Sequence, residues 1–199
     1  MTRRASFYSL GCRLNQSESD SLASGLVAKG YRVVPEGEEA ELCVINTCSV
    51  TEQSDAKCRH LIRSILRRAP ETFVVVTGCY AQSGVEALRS VSGIDMIVGT
   101  EQKMEIPRLL PEVSEPLFKE TVPRVLHTTK IGRKNFIIDT YAAYDRATRP
   151  NIKIQDGCDF FCAFCIIPYT RGRERSRAFE DVLNEARAWS ARGHREVVL

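Results

Sequence analysis

Histidine is scarce in this chain, and so are long apolar runs. Its 199 residues include three histidines and one tryptophan. Nowhere does it approach the roughly 18 consecutive apolar residues that read as a membrane-spanning helix. The shortage of His argues against structural zinc, which takes four nitrogen or sulfur ligands, usually as two separated pairs. His127 and His194, the nearest to the cysteine-rich run, are not paired with a Cys or another His at ligand spacing. No leader peptide is expected either, because Met1-Thr2-Arg3-Arg4 precedes only a short apolar stretch. Without export, the eight cysteines are expected to remain reduced in a cytoplasmic chain with no membrane association, and metal or redox chemistry becomes a better use for them than a disulfide framework. Internal repeats and low-complexity tracts are also missing.

What is present is Gly157-Cys158-Asp159-Phe160-Phe161-Cys162-Ala163-Phe164-Cys165, three thiols at C-x3-C-x2-C spacing with an aromatic directly before the last. A [4Fe-4S] cluster takes Cys thiolates, normally four. A triad without a nearby fourth Cys leaves one iron open to a small molecule.

Ahead of this run, strand and helix patterns alternate. Strands are expected at Ala5 to Leu10, Tyr31 to Val34, Leu42 to Asn46, Phe73 to Thr77 and Met96 to Val98. Asn15 with Glu18 has the form of a capping box opening a helix that Gly30 ends. A second helix over Glu52 to Ala69 carries Cys58, Leu61, Ile62, Ile65 and Leu66 on one face and stops at Pro70. Shorter helices are expected around Val85 to Arg89 and before Pro111. This alternation predicts an α/β class, with a doubly wound parallel sheet as the amino-terminal domain over 1–100. Cys12, Cys48 and Cys79 then follow the first, third and fourth strands. Strand carboxyl ends share one edge of such a sheet, where ligands bind, so these three form a second candidate site. Cys43 within a strand and Cys58 on an apolar stripe read as core, and His60 as solvated.

Residues 101–147, with Pro107, Pro111, Pro116 and Pro123 among mixed charges, read as a linker. From 148 onward a strand at Ile152 to Gln155 leads into the cysteine loop. A helix then places Phe179, Val182, Leu183, Ala186 and Trp189 on one face, and a new strand opens at Glu196 to Leu199. These are the first β/α units of a barrel. A complete one needs on the order of 200 residues or more, whereas 41 follow Cys158, so 148–199 reads as a truncated start. The net charge of +3 is small, but Arg146 to Arg177 holds seven basic residues against three acidic ones. That excess suits a polyanion, and equally a solvated basic loop.

The segments Ser9-Leu10-Gly11-Cys12-Arg13-Leu14-Asn15-Gln16, Ile45-Asn46-Thr47-Cys48-Ser49-Val50-Thr51, Thr77-Gly78-Cys79-Tyr80-Ala81-Gln82 and Cys158 through Pro168 to Arg177 together resemble the radical S-adenosylmethionine (SAM) methylthiotransferases. The resemblance implies two [4Fe-4S] clusters: an auxiliary one on Cys12, Cys48 and Cys79, and a radical SAM one on Cys158, Cys162 and Cys165. It places Phe164 near the SAM adenine and implies a partial radical SAM barrel after the amino-terminal domain. It further implies a tRNA substrate, for which Arg171, Arg173, Arg175 and Arg177 are candidate contacts, and an electron donor such as a flavodoxin or ferredoxin. The wording around Cys12 and Cys48 is similar to the branch that methylthiolates C2 of N6-threonylcarbamoyladenosine at position 37 of tRNA. Branches acting on isopentenyladenosine or on a ribosomal-protein aspartate remain open, as do a two-cluster electron-transfer protein and a non-catalytic fragment.

Overall fold

The computed structural model describes residues 2–132, 136, 138 and 148–199. Its centre is a six-stranded, wholly parallel sheet. The strands are β1 (Arg4–Ser9), β2 (Arg32–Val34), β3 (Leu42–Thr47), β4 (Phe73–Gly78), β5 (Met96–Val98) and β6 (Arg124–Leu126), in the order β2-β1-β3-β4-β5-β6. β3 and β4 are buried at every position, as expected of strands covered on both faces.

Alternation along these strands divides the core in two. Leu42, Val44, Phe73 and Val75 face α1 (Arg13–Ala28) with its Leu22 and Leu26, while Cys43, Ile45, Val74 and Val76 pack with Ile62 and Ile65 of α2 (Glu52–Arg68). α3 (Cys79–Ser83) and α4 (Val85–Arg89) cover the α2 side, and a 3-10 turn at Lys103–Glu105 runs into α5 (Ile106–Leu109) on the α1 side. The amino-terminal part is thus doubly wound, as the alternating pattern predicts.

Two boundary features depart from the sequence reading. β6 lies inside the stretch expected as a linker; three residues between Pro123 and His127 are too few for periodicity to reveal. Its ladder is made by Arg124 N–H donating to Asp95 O (2.9 Å) and Gly99 N–H donating to Leu126 O (2.7 Å). The expected capping box does not form either. Cys12 occupies the N-cap of α1 without a side-chain hydrogen bond that caps the helix, and Asn15 and Glu18 lie buried inside the helix. The remainder of the expected linker, at 133–135, 137 and 139–147, falls outside the described residues, as does Arg146 of the basic stretch.

After the linker, β7 (Gln155–Asp156) pairs antiparallel with β8 (Arg175–Ser176), flanking the cysteine loop and α6 (Ile167–Arg171). α7 (Phe179–Ala191) returns the chain so that Val198 bridges Asn151 in parallel. Ile152 N–H donates to Val198 O at 2.7 Å, and Val198 N–H to Pro150 O at 2.9 Å. A parallel bridge across a helix is the β/α/β connection expected at the start of a barrel. Trp189 is buried against Ile152, but Phe179, expected on the same face, is 75% exposed at the first position of α7.

Candidate metal and cofactor sites

In a sheet of order 2-1-3-4-5, the ligand crevice opens where the winding direction reverses, between β1 and β3. Cys12 follows β1 and Cys48 follows β3, so these two thiols flank that switch point. Cys79 opens α3 beside them: Thr47 and Gly78 are paired in the β3/β4 ladder, and Cys48 and Cys79 each come one residue later. The approach is close. Gly11, with φ +115°, sits against the Cys48 side chain, where an added Cβ would meet Cys48 Cβ at 2.8 Å and Sγ at 3.0 Å.

The electrostatics of this edge suit a cation. Burial pushes the Cys48 thiol up, the neighbouring Cys79 and Cys12 thiols push it further, and hydrogen bonds from the Val50 and Ser49 backbone oppose the rise. Metal binding would offset the rise at Cys48, because a thiol ligand binds as the thiolate. Among the described residues, no three His, Cys, Asp or Glu side chains already stand together as a metal-binding group. The donor chemistry and the small-residue cradle nevertheless fit a cluster held by Cys12, Cys48 and Cys79. All eight cysteines are free thiols. Cys43 and Cys58 are in the core, where burial pushes their thiols up to about 12 and about 11. Cys58 is not remote from the edge, however, since its Sγ donates to Cys48 O at 3.4 Å.

The second triad occupies the loop between β7 and α6. Cys158 N–H donates to Gly172 O (3.1 Å) and Asp159 Oδ1 accepts from Glu174 N–H (2.9 Å), which anchors the start of the loop, while Cys165 N–H donates to Cys162 O (2.9 Å) in a turn within it. Phe161 within it has φ +47°, the left-handed region that a bulky side chain rarely adopts. Arg173 lies over its ring at 4.4 Å, and Tyr169 meets it edge-on. Cys162 is exposed, Cys158 and Cys165 are half-buried, and Phe164 is 93% exposed. Three thiols with an open face fit a cluster with a solvent-accessible corner.

The four arginines expected to meet RNA do not share one surface. Arg171 and Arg177 are buried. Arg177 is paired with Asp181 and Glu185, and Arg175 reaches Asp156 at 3.2 Å. Arg173 alone of the four has a half-exposed side chain. The sequence reading offered Arg171 and Arg177 as RNA contacts, whereas the structure uses them to satisfy interior carboxylates.

Arg171 belongs to an ion-pair cluster that sequence analysis missed. Glu18 accepts from Lys103 (2.5 Å), Lys153 (2.7 Å) and Arg171 (2.9 Å); Asp156 accepts from Lys153 (2.7 Å), Arg171 (3.0 Å) and Arg175. Burial alone would raise the Glu18 carboxyl, but Lys103, Lys153 and Arg171 hold it well below the usual carboxylate range. Burial opposes the Arg171 charge, and Glu18, Cys79 and Asp156 together outweigh it. Two carboxylates meet four cations here among the described residues, a positive excess beside Cys79 that suits an anionic metal–thiolate group. One signal was available in the sequence: Glu18, Leu22 and Leu26 recur every four residues, which puts a carboxylate in the apolar stripe of α1.

The fold and the strand-end thiols define a class. Residues 4–99 match the family described as "Uncharacterized protein family UPF0004". Over almost its whole length the chain is similar to tRNA-modifying enzymes: it is 39% identical to the "Threonylcarbamoyladenosine tRNA methylthiotransferase MtaB" of Aquifex aeolicus, with 98% of this chain and 47% of the relative covered. Identity to the protein of the same name from Bacillus subtilis is 36%, covering 97% and 42%. It is 34% to a "tRNA-2-methylthio-N(6)-dimethylallyladenosine synthase" of Prosthecochloris aestuarii, covering 100% and 44%. The chain is thus similar to these methylthiotransferases along almost its whole length, and it spans about half the length of each.

Proposed function

We propose that the protein is a radical SAM methylthiotransferase that acts on tRNA, adding a methylthio group at C2 of N6-threonylcarbamoyladenosine at position 37. The observation that carries this reading is the placement of Cys12 and Cys48 on either side of the sheet's switch point with Cys79 beside them, together with a separate C-x3-C-x2-C loop. Cys12, Cys48 and Cys79 would hold one [4Fe-4S] cluster, and Cys158, Cys162 and Cys165 the other. When bound, the clusters and SAM would supply the electron, the hydrogen abstraction, the sulfur and the methyl group, which is chemistry that side chains do not furnish. The chain's own contribution is placement. The sheet's carboxyl edge carries three thiols just after neighbouring strands, the loop between β7 and α6 carries three more, the exposed Phe164 ring is available to an adenine, and Arg173 faces solvent where a phosphate can reach it. An electron donor such as a flavodoxin or ferredoxin and a cytoplasmic location complete the proposal. Among the described residues, no helix is long and apolar enough to cross a membrane.

Similarity to the dimethylallyladenosine-type relative supports a second reading, in which isopentenyladenosine is the acceptor. The deciding assay supplies dithionite and SAM to threonylcarbamoyl-modified and isopentenyl-modified tRNA and measures methylthio-adenosine. It compares the 199-residue chain with a form extended to the length of its relatives. Turnover of the threonylcarbamoyl substrate by the extended form alone is expected, with about eight irons per chain after anaerobic reconstitution and about half that after Cys158, Cys162 and Cys165 are changed to Ala. Turnover of only the isopentenyl substrate would move the assignment, and tight stoichiometric zinc would overturn it.

A further inference from the structure

Asn15, 1% exposed, uses its whole carboxamide at the thiol edge. Its Nδ2 donates to Leu10 O at 2.9 Å and to Thr47 O at 3.0 Å. Those carbonyls belong to the residue just before Gly11-Cys12 and the residue just before Cys48. The Oδ1 accepts from Arg171 Nη2 at 2.5 Å, with the Cys12 thiol 3.8 Å away. A carboxamide can turn end for end, but Arg has only donors. The Arg171 contact therefore fixes which end of Asn15 faces the two carbonyls. Arg171 is itself locked by Glu18 and Asp156, and the next residue, Gly172, accepts the Cys158 N–H.

We infer that Arg171 is a positioning residue for the amino-terminal thiol site, acting through the Asn15 carboxamide to hold the Cys12 and Cys48 loops together while its neighbour Gly172 anchors the start of the second thiol loop. The consequence for metal binding rests on the cluster assignment proposed above; the consequence for loop order does not. A single side chain, 156 positions from Asn15 in sequence, thereby sets the relation between the two sites.

The first test uses the metal-free chain and reads carbamidomethylation of half-buried Cys48 by peptide mass spectrometry. Arg171→Met frees the carboxamide, and Cys48 should react about tenfold faster through more frequent local opening. Asn15→Ala should have the same effect, and the double variant should add nothing further, because both act on one linkage. Lys153→Met is the control: it breaks contacts to Glu18 and Asp156 in the same cluster without touching Asn15. An equal rise with Lys153→Met, or multiplying effects in the double variant, would overturn the inference. Should Arg171→Met not fold, Asn15→Ala against Lys153→Met decides alone.

A second readout replaces Cys158, Cys162 and Cys165 by Ala, reconstitutes the remaining triad anaerobically with iron and sulfide, and times removal by a ferrous chelator. Arg171→Met should shorten that time about tenfold. If the triad takes up no iron while the Cys48 reactivities follow the expected pattern, the cluster assignment fails and the positioning role stands.

Discussion

Glu18 of α1 and Lys103 of the 3-10 turn stand 2.5 Å apart, each 1% exposed, although 85 positions separate them in sequence. With no water to share the charge, each holds the other in the interior, and Lys153 and Arg171 reach the same carboxylate from beyond the linker.

Removing that carboxylate takes from buried Lys103 the carboxylate it pairs with and leaves Lys153 and Arg171 to share Asp156. Glu18→Gln, nearly isosteric, should cost about 3–5 kcal/mol of stability. Urea denaturation measures it; a loss below about 1 kcal/mol would show that the cations have other partners.

The same group predicts a pH dependence. Glu18 is held well below its ordinary value of 4.5, so the folded chain takes up a proton less readily than the unfolded one. Its contribution is complete above 4.5 and is lost as pH falls toward the folded-state value. Urea midpoints should therefore drop as pH falls below 4.5, and Glu18→Gln should flatten part of that slope. A slope identical in the variant would assign the acid sensitivity to other groups.

Gly78→Ala should be far more damaging than Gly37→Ala. Both glycines have positive φ, +99° and +92°, so each substitution is strained, and Gly78 with ψ −168° lies in a region essentially reserved for glycine. At Gly37 a Cβ meets nothing within 4 Å, whereas at Gly78 it would lie 2.3 Å from Thr47 O and 2.6 Å from Asn46 Oδ1. The Gly78 variant should therefore lose stability well beyond the Gly37 one and shift the Cys79 loop, as thermal melts of the pair would show.

Thiol reactivity at neutral pH should follow exposure. Cys12 and Cys162, both exposed, should alkylate first, while Cys43 and Cys58, buried and with thiols pushed up to about 12 and about 11, should react only on unfolding. Time-resolved mass spectrometry of the native chain reads the order, and early modification of Cys43 would contradict the packing described.

Strand and helix periodicity carried most of the architecture into view, because the buried parallel strands Leu42–Thr47 and Phe73–Gly78 are continuous apolar runs between turn residues. The placement of Cys12, Cys48 and Cys79 after strands was equally readable, since it needs only chain order. Two features were hidden for definite reasons. Three-residue β6 has no period to detect, and Asn15 with Glu18 copies the spacing of a cap while serving as an interior hub. Arg171 and Arg177 were misread because charge counts on a loop carry no information about partners such as Glu18 or Glu185, which come from other elements.

The distance in sequence between Glu18 and Arg171 also has a meaning in time. During synthesis α1 leaves the ribosome 153 residues before its last cation does. At about 5–20 residues per second that delay is roughly 8–30 seconds. Over that interval the carboxylate gains first Lys103 and then Lys153, and the sheet edge bearing Cys12, Cys48 and Cys79 lacks Arg171. Closure of that edge is therefore a late event in biogenesis, completed only once the residues around Arg171 have been made.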